Sequence, residues 1–158
     1  KFCKKNKISF IKRKKSLAQD SANGNDLLNY HSKIIKSDLY FQLFITAPLL
    51  SVKTINKCIN ILKTKRKIDS IFTCHKIFSW FWFNNKPINY KPNILPRSQD
   101  AKPVIMETTG LYGIRNKALK RYKCRIGKKP YLFEVSKEES LDLDTVEDFK
   151  NALKEFNE

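Results

Sequence analysis

Residues 39–74 read LYFQLFITAPLLSVKTINKCINILKTKRKIDSIFTC and predict the core of the fold. The first six, 39–44, are short, apolar and rich in aromatic rings, which is typical of a buried strand. Apolar residues then recur at helical spacing over 52–62, with lysines on the opposite side and Ser51 placed to cap the helix. A second strand is expected at 68–74. This strand–helix–strand order predicts an α/β fold with a mainly parallel sheet.

The segments on either side predict further elements. On the N-terminal side, residues 8–11 are expected to form a short strand-like patch, and Asn25 or Asp26 to cap a helix. On the C-terminal side, 111–114 and 131–135 are expected to be strands. With 158 residues, the chain has the length of one domain.

The middle of the chain differs from the rest. Residues 77–83 read IFSWFWF, so an extended strand would carry Trp80 and Trp82 on one face and phenylalanines on the other. Prolines then punctuate the connection as far as residue 96. We therefore expect an insertion over about 76–108 that projects from the sheet and covers a partner subunit, in a homodimer.

The charge of the chain is high and unevenly distributed. The formal net charge is +17, yet the last 25 residues carry nine acids against three lysines. Such a positive charge would be compatible with a protein that binds nucleic acid. No nucleic-acid-binding signature accompanies the charge, however, and the lysines are scattered along amphipathic segments. A solvated basic surface is therefore the favoured interpretation, and nucleic acid is not an expected partner.

The cysteines and the hydropathy of the chain indicate in which compartment the protein is expected. The four cysteines lie far apart and form no CxxC pair, which argues against a zinc site or a disulfide framework and favours reduced thiols. No apolar run reaches the roughly 18 residues that span a bilayer. A cytoplasmic protein without a membrane partner is expected.

The run SLDLDTVED at 140–148 carries the clearest chemical signal. In an extended segment Asp142 and Asp144 would share a face, while the intervening leucine points into the core. Adjacent carboxylates suit Mg²⁺, which takes one or two protein carboxylates together with substrate phosphates. Alternatively, the pair simply ends a strand. Thr145 is expected to cap a last helix, with Asp148 at its third position and a buried apolar stripe beyond.

Four segments, in order, resemble the acylneuraminate cytidylyltransferase (CMP-N-acetylneuraminic acid synthetase) family. The terminal run at 140–148 resembles its S-I-D-I-D-T-x-x-D motif, and KRKKSLAQD at 12–20 resembles R-P-x-x-L-A-x-D. ITAPLL at 45–50 is similar to P-T-S-P-L-R, and the stretch PRSQD through ETTGLYGI at 96–114 is similar to P-R-x-Q followed by N-G-A-I-Y. The resemblance covers about residues 7–157.

The resemblance implies a fold and a reaction. The fold would be nucleotide-diphospho-sugar transferase-like (Rossmann-like), with a dimerising insertion. The reaction would join CTP to an acidic nonulosonic or ulosonic sugar, giving CMP-sugar and pyrophosphate with Mg²⁺ as cofactor. The sugar hydroxyl would attack the α-phosphorus directly, so catalysis would rest on positioning and charge neutralisation.

The family motifs also assign candidate site residues. Asp142 and Asp144 would be the metal ligands. Nucleotide-binding candidates are Arg13, Ser21 and Asn23, and substrate-binding candidates are Arg97, Gln99 and Lys76. An arginine can bond both oxygens of a sugar carboxylate. Of these, Lys76 is chosen for its place beside the end of a strand, and its neighbour His75 is a weaker candidate for a base.

Two departures from the family affect the expected function. The polar loop motif appears as FITAPLL at 44–50, without the family's glutamine and arginine. None of the four glycines lies in a Gly- and basic-rich phosphate loop. We therefore expect an N-terminally incomplete domain with an exposed apolar sheet edge and no activity as this fragment. The alternatives are a catalytically dead remnant and a basic interaction or nucleic-acid-binding module.

Overall fold

The computed structural model describes residues 1–157. Its helices alternate with strands in the expected α/β manner. The helices are α1 Phe2–Lys5, α2 Gly24–Ile34, α3 Val52–Thr64, α4 Asn116–Tyr122 and α5 Val146–Asn157. The strands are β1 Leu39–Leu43, β2 Ser70–Ile77, β3 Trp82–Phe83, β4 Lys86–Pro87, β5 Val104–Arg115 and β6 Pro130–Glu134. None of these helices is long and apolar enough to cross a membrane.

The central sheet has the strand order β1-β5-β2-β6. β6 pairs with β2 in parallel, whereas β5 lies antiparallel between β1 and β2. Three strands therefore share one direction and one opposes them. The predicted strand–helix–strand unit over 39–74 is confirmed as β1, α3 and β2, although β5 separates its two strands.

Helices cover both faces of the sheet. Cys58 and Leu62 of α3 pack against Ile71 and Leu111 on one face. On the other face, α2 and α4 pack against β1 and β5 through a cluster formed by Leu28, Tyr40, Ile114, Ala118 and Leu119. Gly113 lies where the strands are most crowded. A Cβ atom there would lie 2.4 Å from the Phe41 ring and 2.8 Å from Ile71, so the packing requires glycine.

The cap of α3 lies at the expected residue, and the cap of α2 lies two or three residues earlier than expected. Ser51 caps α3 by accepting a hydrogen bond from the Thr54 amide at 3.1 Å, as expected. For α2 the cap is Asn23, rather than Asn25 or Asp26. Asp26 instead completes a capping box, because its carboxylate accepts the Asn23 amide at 3.1 Å.

A bulge interrupts β5 next to Thr73. Phe72 faces Tyr112 and Cys74 faces Glu107, so several residues of β5 oppose one residue of β2. The buried Thr73 hydroxyl holds this bulge: it accepts hydrogen bonds from the Thr108 hydroxyl at 2.8 Å and the Leu111 amide at 3.1 Å. The bulge brings Thr109 to the site described below.

The aromatic segment forms a small hairpin rather than a strand over 77–83. β3 pairs with β4, and the two turn residues, Asn84 and Asn85, both have positive φ. Asparagine tolerates this conformation, which suits a two-residue hairpin turn. Trp80 and Trp82 contact the same ring, that of Tyr90, and both remain partly exposed.

Two expectations about apolar segments are wrong. Residues 8–11 adopt no strand, because no described strand lies beside them to complete backbone pairing. The expected buried stripe of α5 is exposed: its four large apolar residues are between 45% and 76% accessible. Helical periodicity places these side chains on one face, but no described part of the chain covers that face.

β1 is an edge strand among the described residues, as expected. Its open side borders a cavity of about 470 Å³, lined mainly by apolar residues of β1 and α2 together with Ile11. Leu43 and Ile45, at the end of this edge, are 47% and 95% exposed.

Candidate functional site at the strand ends

Asp142 lies where β1 and β5 meet at the carboxyl end of the parallel strands. The loop that carries it is attached to the end of β1, because the Leu143 amide donates to the Thr46 carbonyl at 2.8 Å. One carboxylate oxygen of Asp142, Oδ2, accepts a hydrogen bond from the hydroxyl of Thr109. The other, Oδ1, is buried and has no hydrogen-bond partner among the described residues.

An unpaired buried carboxylate oxygen is costly unless a donor or a cation satisfies it. Asp142 therefore fits the role of a ligand for a hard cation such as Mg²⁺. Within residues 1–157, no group of three or more His, Cys, Asp or Glu side chains is placed to hold a metal ion. An ion held here by one or two carboxylates would take its other ligands from water and substrate oxygens.

Asp144 is in a different environment from Asp142. Its side chain is exposed, and its amide donates to Asp148 Oδ2 at 3.2 Å. The same oxygen of Asp148 accepts the Thr145 amide and hydroxyl, both at 2.7 Å, as the predicted cap of α5 requires. The hydrogen bonds from Thr145 hold the pKa of Asp148 below its usual range. Asp144 is thus fixed through its backbone, and its carboxylate has no hydrogen bond or ion pair with any residue in the described part of the chain.

A second polar cluster is formed by Tyr112, Glu107 and Arg125. It lies on the sheet face where Tyr112 packs against Phe72. The Tyr112 hydroxyl donates to Glu107 Oε1 at 2.5 Å, and burial together with this bond raises the pKa of Tyr112 well above its ordinary value. The Arg125 guanidinium stacks 3.6 Å from the centre of the Tyr112 ring, and its Nη2 lies 3.6 Å from the same oxygen of Glu107. Stacking on an aromatic ring fixes an arginine without using its outer donors.

The N-terminus of α2 adjoins this cluster. The Arg125 amide donates to Asn25 Oδ1 at 2.8 Å, and a Cβ atom on Gly24 would lie 2.7 Å from Arg125 Nη1. A side chain at position 24 would therefore displace the Arg125 guanidinium. Gln42 donates to the Gly24 carbonyl at 3.2 Å, while its own Oε1 is buried without a partner in the described part of the chain.

The predicted nucleotide-binding residues occupy the segment leading into α2. Asn23 Oδ1 accepts the amides of Asn25 and Asp26, so its carbonyl is engaged in capping. Ser21 and Arg13 are exposed. The structure brings Asn23 close to the Arg125 cluster, but no described hydrogen bond joins Arg13 or Ser21 to it.

The predicted substrate-binding residues are spread over two places. Lys76 forms an ion pair of 2.5 Å with Glu134, which joins the ends of β2 and β6. His75 Nδ1 lies 3.2 Å from the Val135 carbonyl. Arg97, in contrast, bonds Asp100 at 2.6 Å within the insertion, next to the exposed Gln99. No ion pair between described residues connects Arg97 to Asp142.

Sequence reasoning missed three polar members of the site. Thr109, Glu107 and Arg125 were assigned no role, although the first two lie within the segment that resembles N-G-A-I-Y. Arg125 stands 13 residues after the aromatic ring on which it stacks, and no local spacing rule connects the two. In the sequence, Arg125 is simply one basic residue in the loop between α4 and β6, and nothing in that loop indicates a role for it.

Comparisons with known proteins identify the fold. No protein-family model matches the chain, and no curated protein matches it. Among solved structures, it is similar to CMP:2-keto-3-deoxy-manno-octonic acid synthetase complexed with CTP, with a TM-score of 0.61 and 16% identity, over 88% of this chain and 70% of that one. It is also similar to the bifunctional IspDF from Campylobacter jejuni, with a TM-score of 0.56 and 18% identity, over 80% of this chain and 33% of that one.

These similarities show the fold rather than the activity, because both identities are low. The chain has the α/β, nucleotide-diphospho-sugar transferase-like fold that it shares with this CMP-sugar synthetase. It spans about a third of the IspDF chain. The expected α/β fold class, with a mainly parallel central sheet, is confirmed.

Proposed function

We propose that the chain is part of a cytidylyltransferase that activates an acidic sugar with CTP, releasing pyrophosphate. The observation that carries the proposal is the buried, unpaired Oδ1 of Asp142, which lies at the carboxyl end of the parallel strands. In open α/β sheets this end is where ligands bind. Fold similarity to a synthetase solved with CTP supports the same reaction class.

Asp142 and Asp144 are the proposed Mg²⁺ ligands. Bound there, the ion would neutralise charge on the nucleotide phosphates. Thr109 orients Asp142 by donating to one oxygen, which directs the other away from it. Asp144 remains available because Thr145 caps α5 and pairs with Asp148, so the cap does not use the Asp144 carboxylate.

The remaining roles divide between the two substrates. Asn23, with Ser21 and Arg13 in the same segment, is proposed to contact the nucleotide, next to the Arg125 guanidinium. Lys76, Arg97 and Gln99 are proposed to meet the sugar acid, for which a cation is the natural partner. Arg97 would have to exchange its exposed ion pair with Asp100, at small cost because exposed pairs contribute little.

Substitution of one aspartate tests the metal proposal. Asp144→Asn preserves shape but removes a charge from an exposed group, so it should lower Mg²⁺-dependent turnover far more than the melting temperature. Glu147→Gln, which likewise removes one exposed negative charge close to the same helix cap, is the matched control. Both would be measured with CTP and a panel of acidic sugars, in the 158-residue chain and in any longer form of the protein that is active. Undiminished turnover of Asp144→Asn would contradict the proposal.

We also propose that residues 1–158 alone are inactive. No glycine among them lies in a Gly- and basic-rich context that could hold the triphosphate, and β1 presents an open edge. Product formation by this polypeptide with CTP, Mg²⁺ and any acidic sugar would refute this. An upstream segment that restores turnover would show that the missing groups lie there. An inactive extended chain that still folds would favour the catalytically dead alternative.

Finally, we propose that the insertion mediates a homodimer. Exposed apolar residues are concentrated there: Trp82 and Phe83 are 57% and 67% accessible, and Ile94 and Leu95 exceed 60%. Apolar patches of this kind mark interaction surfaces. Sedimentation equilibrium should give a dimer, and Trp82→Ser with Phe83→Ser should give a folded monomer. A wild-type monomer at high concentration would exclude this interface.

A further inference from the structure

A concave basic surface lies at the end of the sheet opposite to the candidate site. Its cavity, about 540 Å³, is lined by Asp38, Lys63, Arg66, Arg115, Asn116, Lys117 and Lys120. Leu39 pairs with Arg115 at this end of β1, and Leu43 pairs with Leu111 at the other. Four residue steps at about 3.4 Å each separate the two ends by about 14 Å. The basic cavity is therefore distinct from the site around Asp142.

Arg115 forms a fixed centre for this cavity. Its Nη2 donates to the Leu62 carbonyl at 2.5 Å and to the Lys65 carbonyl at 3.1 Å, and its Nε donates to the Ile68 carbonyl at 3.0 Å. The two bonds from Nη2 satisfy carbonyls at the C-terminus of α3, whose partial negative charge would otherwise oppose an anion, and the bond from Nε fixes the loop that follows the helix. Arg115 thus holds the cavity's shape and leaves the other cations free to bind.

The other four cations have no acidic partner in the described structure. No ion pair between residues 1–157 engages Lys63, Arg66, Lys117 or Lys120, and Asp38 is the single acid in the lining. The wall therefore carries five positive charges against one negative. Converging cations in a concavity raise the local concentration of anions. The volume falls within the range typical of small-molecule sites.

We propose that this cavity binds a compact polyphosphate anion, such as inorganic triphosphate or the phosphate chain of a nucleotide. Several cations around one concavity match a ligand that concentrates charge in a small volume. Binding should weaken as salt increases, because the lysines are exposed and screened. The proposal does not depend on the cytidylyltransferase activity, since the two sites lie at opposite ends of the sheet.

Titration with inorganic triphosphate, in the absence of Mg²⁺, tests the proposal on the 158-residue chain. Amide NMR signals of Arg66, Asn116 and Lys117 should shift on binding. The double variant Lys117→Gln/Lys120→Gln should bind about tenfold more weakly, since it loses two of the five cations in the lining. Lys53→Gln/Lys57→Gln removes the same charge from the N-terminal half of α3, outside the cavity lining, and should change the affinity less than about twofold.

Three outcomes would overturn the inference. Equal loss of affinity in the two double variants would show attraction to the net charge alone. Shifts confined to Gly24, Arg125 and Asp142 would assign the anion to the candidate site. Tighter binding of a single-stranded oligonucleotide, with shifts spread beyond the cavity, would show a nucleic-acid surface instead. A dispersed spectrum for each variant establishes that it is folded.

Discussion

Replacing Thr73 by valine should destabilise the protein through the bulge that positions Thr109. The substitution keeps the side-chain shape but removes the acceptor for the Thr108 hydroxyl and the Leu111 amide, both buried. Each orphaned group costs about 1 kcal/mol or more, so we expect a loss of about 2 kcal/mol in the free energy of unfolding. For a chain of this length, that corresponds to about 4–8 °C in melting temperature.

A double-mutant cycle separates this mechanism from a general packing defect. Thr108→Val alone should cost less than Thr73→Val, because the Leu111 amide keeps its acceptor. The combined variant should be more stable than the two losses predict, by about 1 kcal/mol, since the Thr108 hydroxyl is no longer orphaned. Urea denaturation followed by circular dichroism measures all four free energies. Additive losses, or a Thr73→Val variant as stable as wild type, would refute the reasoning.

Two further predictions concern the core. Gly113→Ala should lower the free energy of unfolding by about 1–3 kcal/mol through overpacking against Phe41 and Ile71, whereas a loss near zero in thermal melts would show that the ring yields freely. Burial, reinforced by the Glu139 carboxylate, raises the pKa of the Cys58 thiol to about 12, against about 8.5 in an unfolded chain. The folded state therefore binds more protons between these values, so stability should fall as pH rises through this window. Cys58→Ala should show a shallower decline in pH-dependent urea melts, and an unchanged slope would contradict the assignment.

Local patterns predicted the elements because local physics decides them. The α3 stripe and its Ser51 cap depend on neighbours within one or two turns, and both are confirmed. The same periodicity failed for α5, because a pattern identifies the apolar face of a helix but not what covers it. The place of β5 between β1 and β2 could not be predicted from local patterns, because the paired residues lie far apart in sequence, from Ile77 and Val104 to Leu39 and Arg115.

The candidate site shows the same division between local and distant information. The alternation that suggested a shared face for Asp142 and Asp144 holds only while a segment is an extended strand. The segment instead follows a turn and is tied to the Thr46 carbonyl, outside the sheet. Asp142 consequently turns towards Thr109 and becomes partly buried, while Asp144 stays in solvent beside the cap of α5.

This asymmetry gives the two aspartates different physical consequences. Asp142 pays the desolvation cost of an unpaired oxygen, so a cation that binds it should also stabilise the fold. Asp144 carries no such cost, because its side chain is exposed to solvent. If both bind one ion, Asp142 contributes mainly a fixed position and Asp144 mainly charge. The two residues occupy equivalent positions in the sequence motif. In the structure they differ in burial, because Asp142 packs against Thr109 and Asp144 does not.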